Sequence, residues 1–209
     1  MRALLLVTTS LLISATRSAD AERNPLGPPT WRAFWVWGRK NFQHGPGYFR
    51  LTFRVKPGLV SADWQGVGDD SFVQYVNGIE VLRGGFAYGR TYRRDVTELL
   101  REGENLLAAL CHNAAEPGGW LSQLTLVYAD GTLELVVSDR ATRFWHEEQE
   151  GWNQPGFDDS RWEPCRELGR PPAAPWGPLT VHYAGPRQVV NVLDFGAPRR
   201  LKECEARRG

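Results

Sequence analysis

Cysteine is scarce here: Cys111, Cys165 and Cys204 are the only three among 209 residues. No CxxC pair exists, so neither a zinc site nor a thioredoxin-type redox motif is supported. Cys111 reads as an inert buried thiol, and spacing alone leaves a Cys165–Cys204 bridge open. Net charge is also small, +1 overall, and removal of Arg2, Arg17 and Asp20 with a leader makes the chain neutral. A neutral chain gives no electrostatic reason to expect nucleic acid or an anionic membrane. The four histidines, His44, His112, His146 and His182, form no HxxxH or HxH pair, and GxSxG, P-loop and GxGxxG patterns are missing. Asp69-Asp70 and Asp158-Asp159 are adjacent carboxylates at turns, where they cap backbone N–H groups rather than face each other across a cleft. The run Glu147, Glu148, Glu150 reads as a solvated loop. Oxygen-rich turns have room for a structural Ca²⁺, but no loop carries a calcium signature. No catalytic residue, metal ligand or cofactor is therefore assigned.

What is present is globular: 42% hydrophobic and 23% charged residues exclude a fully disordered chain. The length suits one domain with a substantial core. Nine Trp with 22 Gly and 14 Pro favour a turn-rich β domain. Met1-Arg2, the apolar run Ala3 to Ala15 and the small residues Ala19-Asp20-Ala21 predict a secretory signal peptide over 1–21. The apolar run is too short to span a bilayer, and nothing later is long enough to insert into one. The junction carries no Cys, which argues against a lipoprotein. The expected location is secreted or periplasmic. Residues 22–30 read as a polar, Pro-rich linker.

The domain is organised around residues 69–131. Ser71 to Val76 is a strand, Asn77-Gly78 a two-residue hairpin turn and Ile79 to Leu82 the return strand. Asp95-Val96-Thr97-Glu98 has the form of a capping box, with Asp95 as N-cap and Gly103 as the left-handed stop of a one-turn helix. Asn105 to Cys111 is apolar on both faces, which predicts a central strand with Leu106, Leu107 and Leu110 nearly fully buried. Upstream, Trp31, Phe34, Trp35, Val36 and Trp37 form an aromatic cluster before a Gly/Pro-broken loop, Gly38 to Gly47, and core packing is the commoner role of such a cluster. Tyr48 to Val55 alternates, with Phe49, Leu51, Phe53 and Val55 inward and Arg50, Thr52 and Arg54 outward. Leu59 to Gln65 follows as another strand. Downstream, Thr132 to Val137 pairs back on the strand ending at Tyr128. Arg143 to Trp145, Val181 to Tyr183 and Val189 to Phe195 are further short strands, and Phe157 to Trp162 is a compact turn. Short strands separated by Gly, Pro, Asn and Asp define an all-β, antiparallel two-sheet sandwich.

The run "DDSF..YVNG", then "DVTELLREGEN", then the Leu/Ala strand with "N…GG" and "ADG" resembles the galactose-binding-like β-sandwich. It is most similar to the N-terminal accessory domains of bacterial α-L-rhamnosidases and other glycoside hydrolases. The resemblance covers residues 31–177; 178–209 read as a C-terminal extension with one or two short strands and a frayed tail. It implies a jelly roll with ligand loops at one end, and a corner at "FDDS.W" in which Phe157 and Trp162 pack inward. It also implies a carbohydrate ligand, while the catalytic domain that accompanies such sandwiches is absent from this chain. Fold alone does not fix function.

Two loops carry the stacking faces and hydroxyl partners that sugars need. One, 83–92, offers Tyr88 and Arg90; the other, 112–120, offers His112, Asn113 and Trp120, with Gly118-Gly119 allowing close backbone approach. Trp64, at a strand end, joins them. The competing role of Tyr88 and Trp120 is to cover the ends of the sandwich. Two functions stay open: a secreted non-catalytic carbohydrate-binding or accessory domain of a glycan-degrading system, or a non-catalytic structural or protein-interaction domain. Oligomeric state is not legible.

Overall fold

The computed structural model describes residues 30–38, 44–86, 89–115 and 117–183. The expected leader, nearly all of the linker, the strand at Val189 to Phe195, Cys204 and Tyr88 lie outside them.

The described residues from Trp31 to Tyr183 form a β-sandwich. Its strands are β1 (Trp35–Trp37), β2 (Gly45–Val55), β3 (Leu59–Asp69), β4 (Ser71–Val76), β5 (Ile79–Gly85), β6 (Arg90–Asp95), β7 (Gly103–Asn113) and β8 (Gly119–Tyr128). There follow β9 (Leu133–Val137), β10 (Arg143–Trp145), β11 (Glu163–Pro164), β12 (Arg166–Gly169) and β13 (Thr180–Tyr183). Sheet one runs β12-β1-β8-β3-β6-β13, with β9 also on β8; sheet two runs β11-β10-β2-β7-β4-β5. Pairing is antiparallel except that β13 joins β6 in parallel, a departure from the all-antiparallel expectation. Gly45 and Gly47, expected in a loop, begin β2 and pair with Asn113 and Cys111.

β7 lies between β2 and β4 and is covered on both faces, as its composition requires. Leu107, Ala109 and Cys111 enter the core between the sheets, with Trp37, Phe49, Trp64, Phe72, Trp120 and Leu124. Leu106 and Ala108 face the other way, under Tyr48, Trp152 and Trp162. Each fully buried leucine contributes about 1.5–3 kcal/mol. Leu110 departs from expectation: it is only half-buried, at the margin of the segment that carries Trp152 and Trp162 over this face, where it also lines a surface groove.

That covering segment holds the main surprise of the fold. Arg50 is outward-facing on β2, yet only 2% exposed. Its Nε donates to Asp159 Oδ2 at 2.8 Å, and its Nη atoms donate to the carbonyls of Trp152, Gln154 (3.1 Å) and Phe157 (3.3 Å). The guanidinium also sits 5.0 Å from the centre of the Phe157 ring. One cation thus fixes the turn-rich loop that carries Trp152 edge-on to Tyr48 (5.0 Å) and Tyr75 (5.6 Å). Phe157 and Trp162 meet edge to face at 5.7 Å in the corner expected of them, and Asp158 Oδ1 accepts from Ser160 N.

The Asn77-Gly78 turn has φ of 50° and 84°, and Val76 pairs with Ile79 across it, a two-residue hairpin. Asn77 also ties the turn to the rest of the domain. Its Nδ2 donates to Leu99 O and Asn105 Oδ1, and its Oδ1 accepts from Leu106 N, each at 2.8 Å. The helix is a single 3-10 turn, Thr97–Leu99, and its N-cap is Val96. Asp95 instead accepts from Thr97 N (2.9 Å) and Thr97 Oγ1 (2.6 Å), closing the turn two residues on. Cys111 and Cys165 are buried free thiols, and burial pushes both well above the usual thiol range. Among the described residues no helix is long and apolar enough to cross a membrane.

Candidate functional site

One end of the sandwich gathers the loops singled out in the sequence, and Asp70 ties them. Its N donates to His112 O at 2.8 Å, its O accepts from Phe86 N at 2.6 Å, and its Oδ2 accepts from Ala114 N at 2.6 Å. The segment after β5 and the segment after β7 are therefore held to one residue. The neighbouring Asp69 closes β3 opposite Gly119, and its Oδ2 accepts from Trp176 Nε1 at 2.8 Å. Burial raises the Asp69 carboxyl above its ordinary range; the Trp176 hydrogen bond opposes this and Asp70 adds to it. Asp70 thus caps a backbone N–H as expected, whereas Asp69 departs from that expectation and holds a side-chain indole instead.

Beside this hub an aromatic stack closes the end. Trp176 lies on Trp35 at 4.3 Å and 15°, and Phe86 meets Trp35 edge-on at 6.0 Å. Gly118 and Gly119 are required by these neighbours. A Cβ on Gly119 would stand 2.7 Å from the Trp35 ring and 2.8 Å from Trp176, and one on Gly118 would stand 2.8 Å from the Asn113 side chain. The close approach expected at these glycines is made by the protein's own rings and amide.

Three expected site residues are not on the surface. Trp120 is fully buried, donates Nε1 to Gln74 Oε1 at 3.2 Å and packs 5.4 Å from Phe49. Trp64 is fully buried, with Nε1 on Ser122 Oγ at 2.9 Å. Asn113 is buried as well. The reason is parity: each sits at an inward position of its strand, and a large ring or an amide near a strand end is no sign of exposure. Arg90 and His112 are exposed at the expected end.

Two depressions open here. A cleft of about 240 Å³ is walled by Trp37, Pro117, Gly118, Leu168, Pro175 and Trp176. Its tryptophans are almost wholly buried, so they form a floor rather than a free-standing platform. Among the described residues the buried indole N–H groups of Trp35 and Trp37 meet no acceptor; an unmet buried donor costs about 1–3 kcal/mol. The second, a groove of about 350 Å³, runs onto the outer face of sheet two along Ser71, Val73, Arg83, Leu110 and His112. Arg83 is held there by Glu80 at 2.7 and 2.6 Å. Sequence reasoning missed Trp37, Asp69 and Trp176 as residues shaping this end; the sole signal was the aromatic cluster, whose commoner role is core packing. Among the described residues no three His, Cys, Asp or Glu side chains gather as a metal-holding group.

The two sheets and their gathered loop end define a galactose-binding-like β-sandwich of the jelly-roll class. No protein-family model matches the chain. It is 31% identical over 159 residues to an α-L-rhamnosidase of Streptomyces avermitilis, covering 73% of this chain and 15% of that enzyme. The crystal structure of Streptomyces avermitilis α-L-rhamnosidase complexed with L-rhamnose superposes with a TM-score of 0.70 at 26% identity, over 76% of this chain and 17% of that one. A lectin of Pleurotus ostreatus, in its apo form, gives 0.63 at 27% identity, over 69% and 44%. The chain resembles an accessory β-sandwich domain of α-L-rhamnosidases, and it spans about a sixth of their length.

Proposed function

We propose that this protein is a non-catalytic carbohydrate-binding domain acting outside the cytoplasm as an accessory of a glycan-degrading system. The observation that carries the proposal is the cleft at the loop end. It has a wall of tryptophan, proline and leucine, and the exposed Arg90 and His112 belong to the same end of the sandwich. Such an end offers an apolar surface to sugar C–H groups, and Arg90 and His112 offer polar partners to hydroxyls. Support comes from the company the fold keeps: one similar structure holds L-rhamnose and another is a lectin. The matched part of the rhamnosidase is a small share of that enzyme, which supports a role without catalysis.

In this proposal Arg90, His112 and Tyr88 contact the glycan, while Asn113 and Trp120 support the site from within. A glycan array probed with the chain, followed by titration of tryptophan fluorescence with L-rhamnose and any array hit, tests it. Saturable quenching that weakens in His112→Ala, Arg90→Ala and Tyr88→Ala, all folded, supports the proposal. An array without a hit and flat titrations would sink it. The near-complete burial of Trp37, Trp64, Trp120 and Trp176 favours the second reading, a structural or protein-interaction domain; the flat titration is its signature.

A further inference from the structure

The four most exposed large hydrophobic residues of the described chain are Val60, Ile79, Leu133 and Leu135. Three of them gather at one corner of sheet one. Val127 pairs with both Ser61 and Leu133, Thr125 with Leu135, and Val60 is the extra residue of the bulge between Leu59 and Ser61. Leu133 and Leu135 are 58% and 45% exposed. They alternate with Glu134 on β9, which pairs with β8 and, among the described residues, with no strand on its other side. An open edge bearing unpaired N–H and C=O groups beside an apolar stripe is a template for another strand. The usual protections are missing: the strand reads Leu-Glu-Leu-Val-Val, with no Pro, no Lys and no bulge. Its one charge is engaged on its own domain, since Glu134 bonds Lys56 Nζ and accepts from Tyr128 OH at 3.2 Å.

We propose that the free edge of β9 joins the β9 of a second copy of this chain in a two-fold antiparallel pair centred near Leu135. The sequence of the strand favours this occupant. Pairing about Leu135 sets Leu133 opposite the second copy's Val137, Leu135 opposite Leu135, and Glu134 opposite Val136. No like charges then face each other, and the apolar stripes become continuous on one face. The contact is isologous and closes at two copies. Strand pairing and carbohydrate binding are independent, because β9 lies away from the Asp70 end.

Sedimentation velocity of the purified chain, from micromolar to near-millimolar concentration, tests the proposal. The mean mass is expected to rise toward double, while Leu135→Lys, a change at an exposed position, stays at one copy throughout. Ile79→Lys, on the exposed edge strand of the other sheet, is expected to associate like the parent. A parent that stays at one copy, a Leu135→Lys variant that associates equally well, or growth beyond two copies would each overturn it.

Discussion

Arg50→Ala is the sharpest test of how sheet two is covered. The substitution removes the donors to Asp159 and to the carbonyls of Trp152, Gln154 and Phe157. Breaking a fully buried ion pair costs about 3–5 kcal/mol. Asp159 is 26% exposed, so water recovers part of that cost once the arginine is gone. The carbonyls lose charge-assisted hydrogen bonds, and the aliphatic stem no longer fills its place beneath the loop. The expected loss is about 2–4 kcal/mol, a large part of the roughly 5–15 kcal/mol that holds a domain together. Arg50→Lys keeps the charge but not the fork, and should recover only part of it. Urea unfolding followed by tryptophan fluorescence reads the change as a lower midpoint. Trp152 and Trp162 should also report a wetter environment before global unfolding, since the loop is released first. An Arg50→Ala variant within about 0.5 kcal/mol of the parent would refute the view that one guanidinium holds this layer.

Leu107→Ala should cost about 2–5 kcal/mol, and Leu110→Ala clearly less because that side chain is only half-buried; equal losses in urea titrations would contradict the placement. Trp120→Ala should destabilise by about 3–5 kcal/mol rather than act on a surface, and a fully stable variant would show that the ring is not core. Gly78→Val should destabilise through its φ of 84°, since the exposed Gln154 side chain beside it can swing away; an unchanged midpoint would remove the assigned turn. Asp69 has a raised folded-state pKa, so folding favours its protonated form, and its contribution declines as pH rises from about 3.8 through the raised value. Asp69→Asn keeps an acceptor for Trp176 and should gain stability relative to the parent over that rise; a gap that is constant with pH would contradict the burial of the carboxyl.

The sandwich was legible because its signals are local. Asn77-Gly78 specifies its hairpin by positive φ, and the two-sided apolar strand from Asn105 to Cys111 announces its central position. The alternation from Phe49 to Val55 marks the core face as well. What the alternation cannot show is a second layer: Arg50 reads as solvent-facing because its partners, residues 152–159, are about a hundred positions away. The site was less legible for a related reason. Trp64 and Trp120 satisfy their indole N–H groups on Ser122 and Gln74, pairings that exist only once the strands are aligned. Asp70 could be recognised as a turn cap, but not as the tie joining two loops. Trp176 lies beyond a proline-rich stretch that gives no periodicity from which to place it on Trp35.

Whether the loop end binds carbohydrate is decided by amide chemical shifts during titration with L-rhamnose and any array hit. Saturable shifts are expected at that end alone, at Arg90, His112, Ala114 and Gly118, with β9 and the Trp152 loop unmoved. Saturable shifts centred elsewhere, or none with any glycan, would contradict a sugar site there.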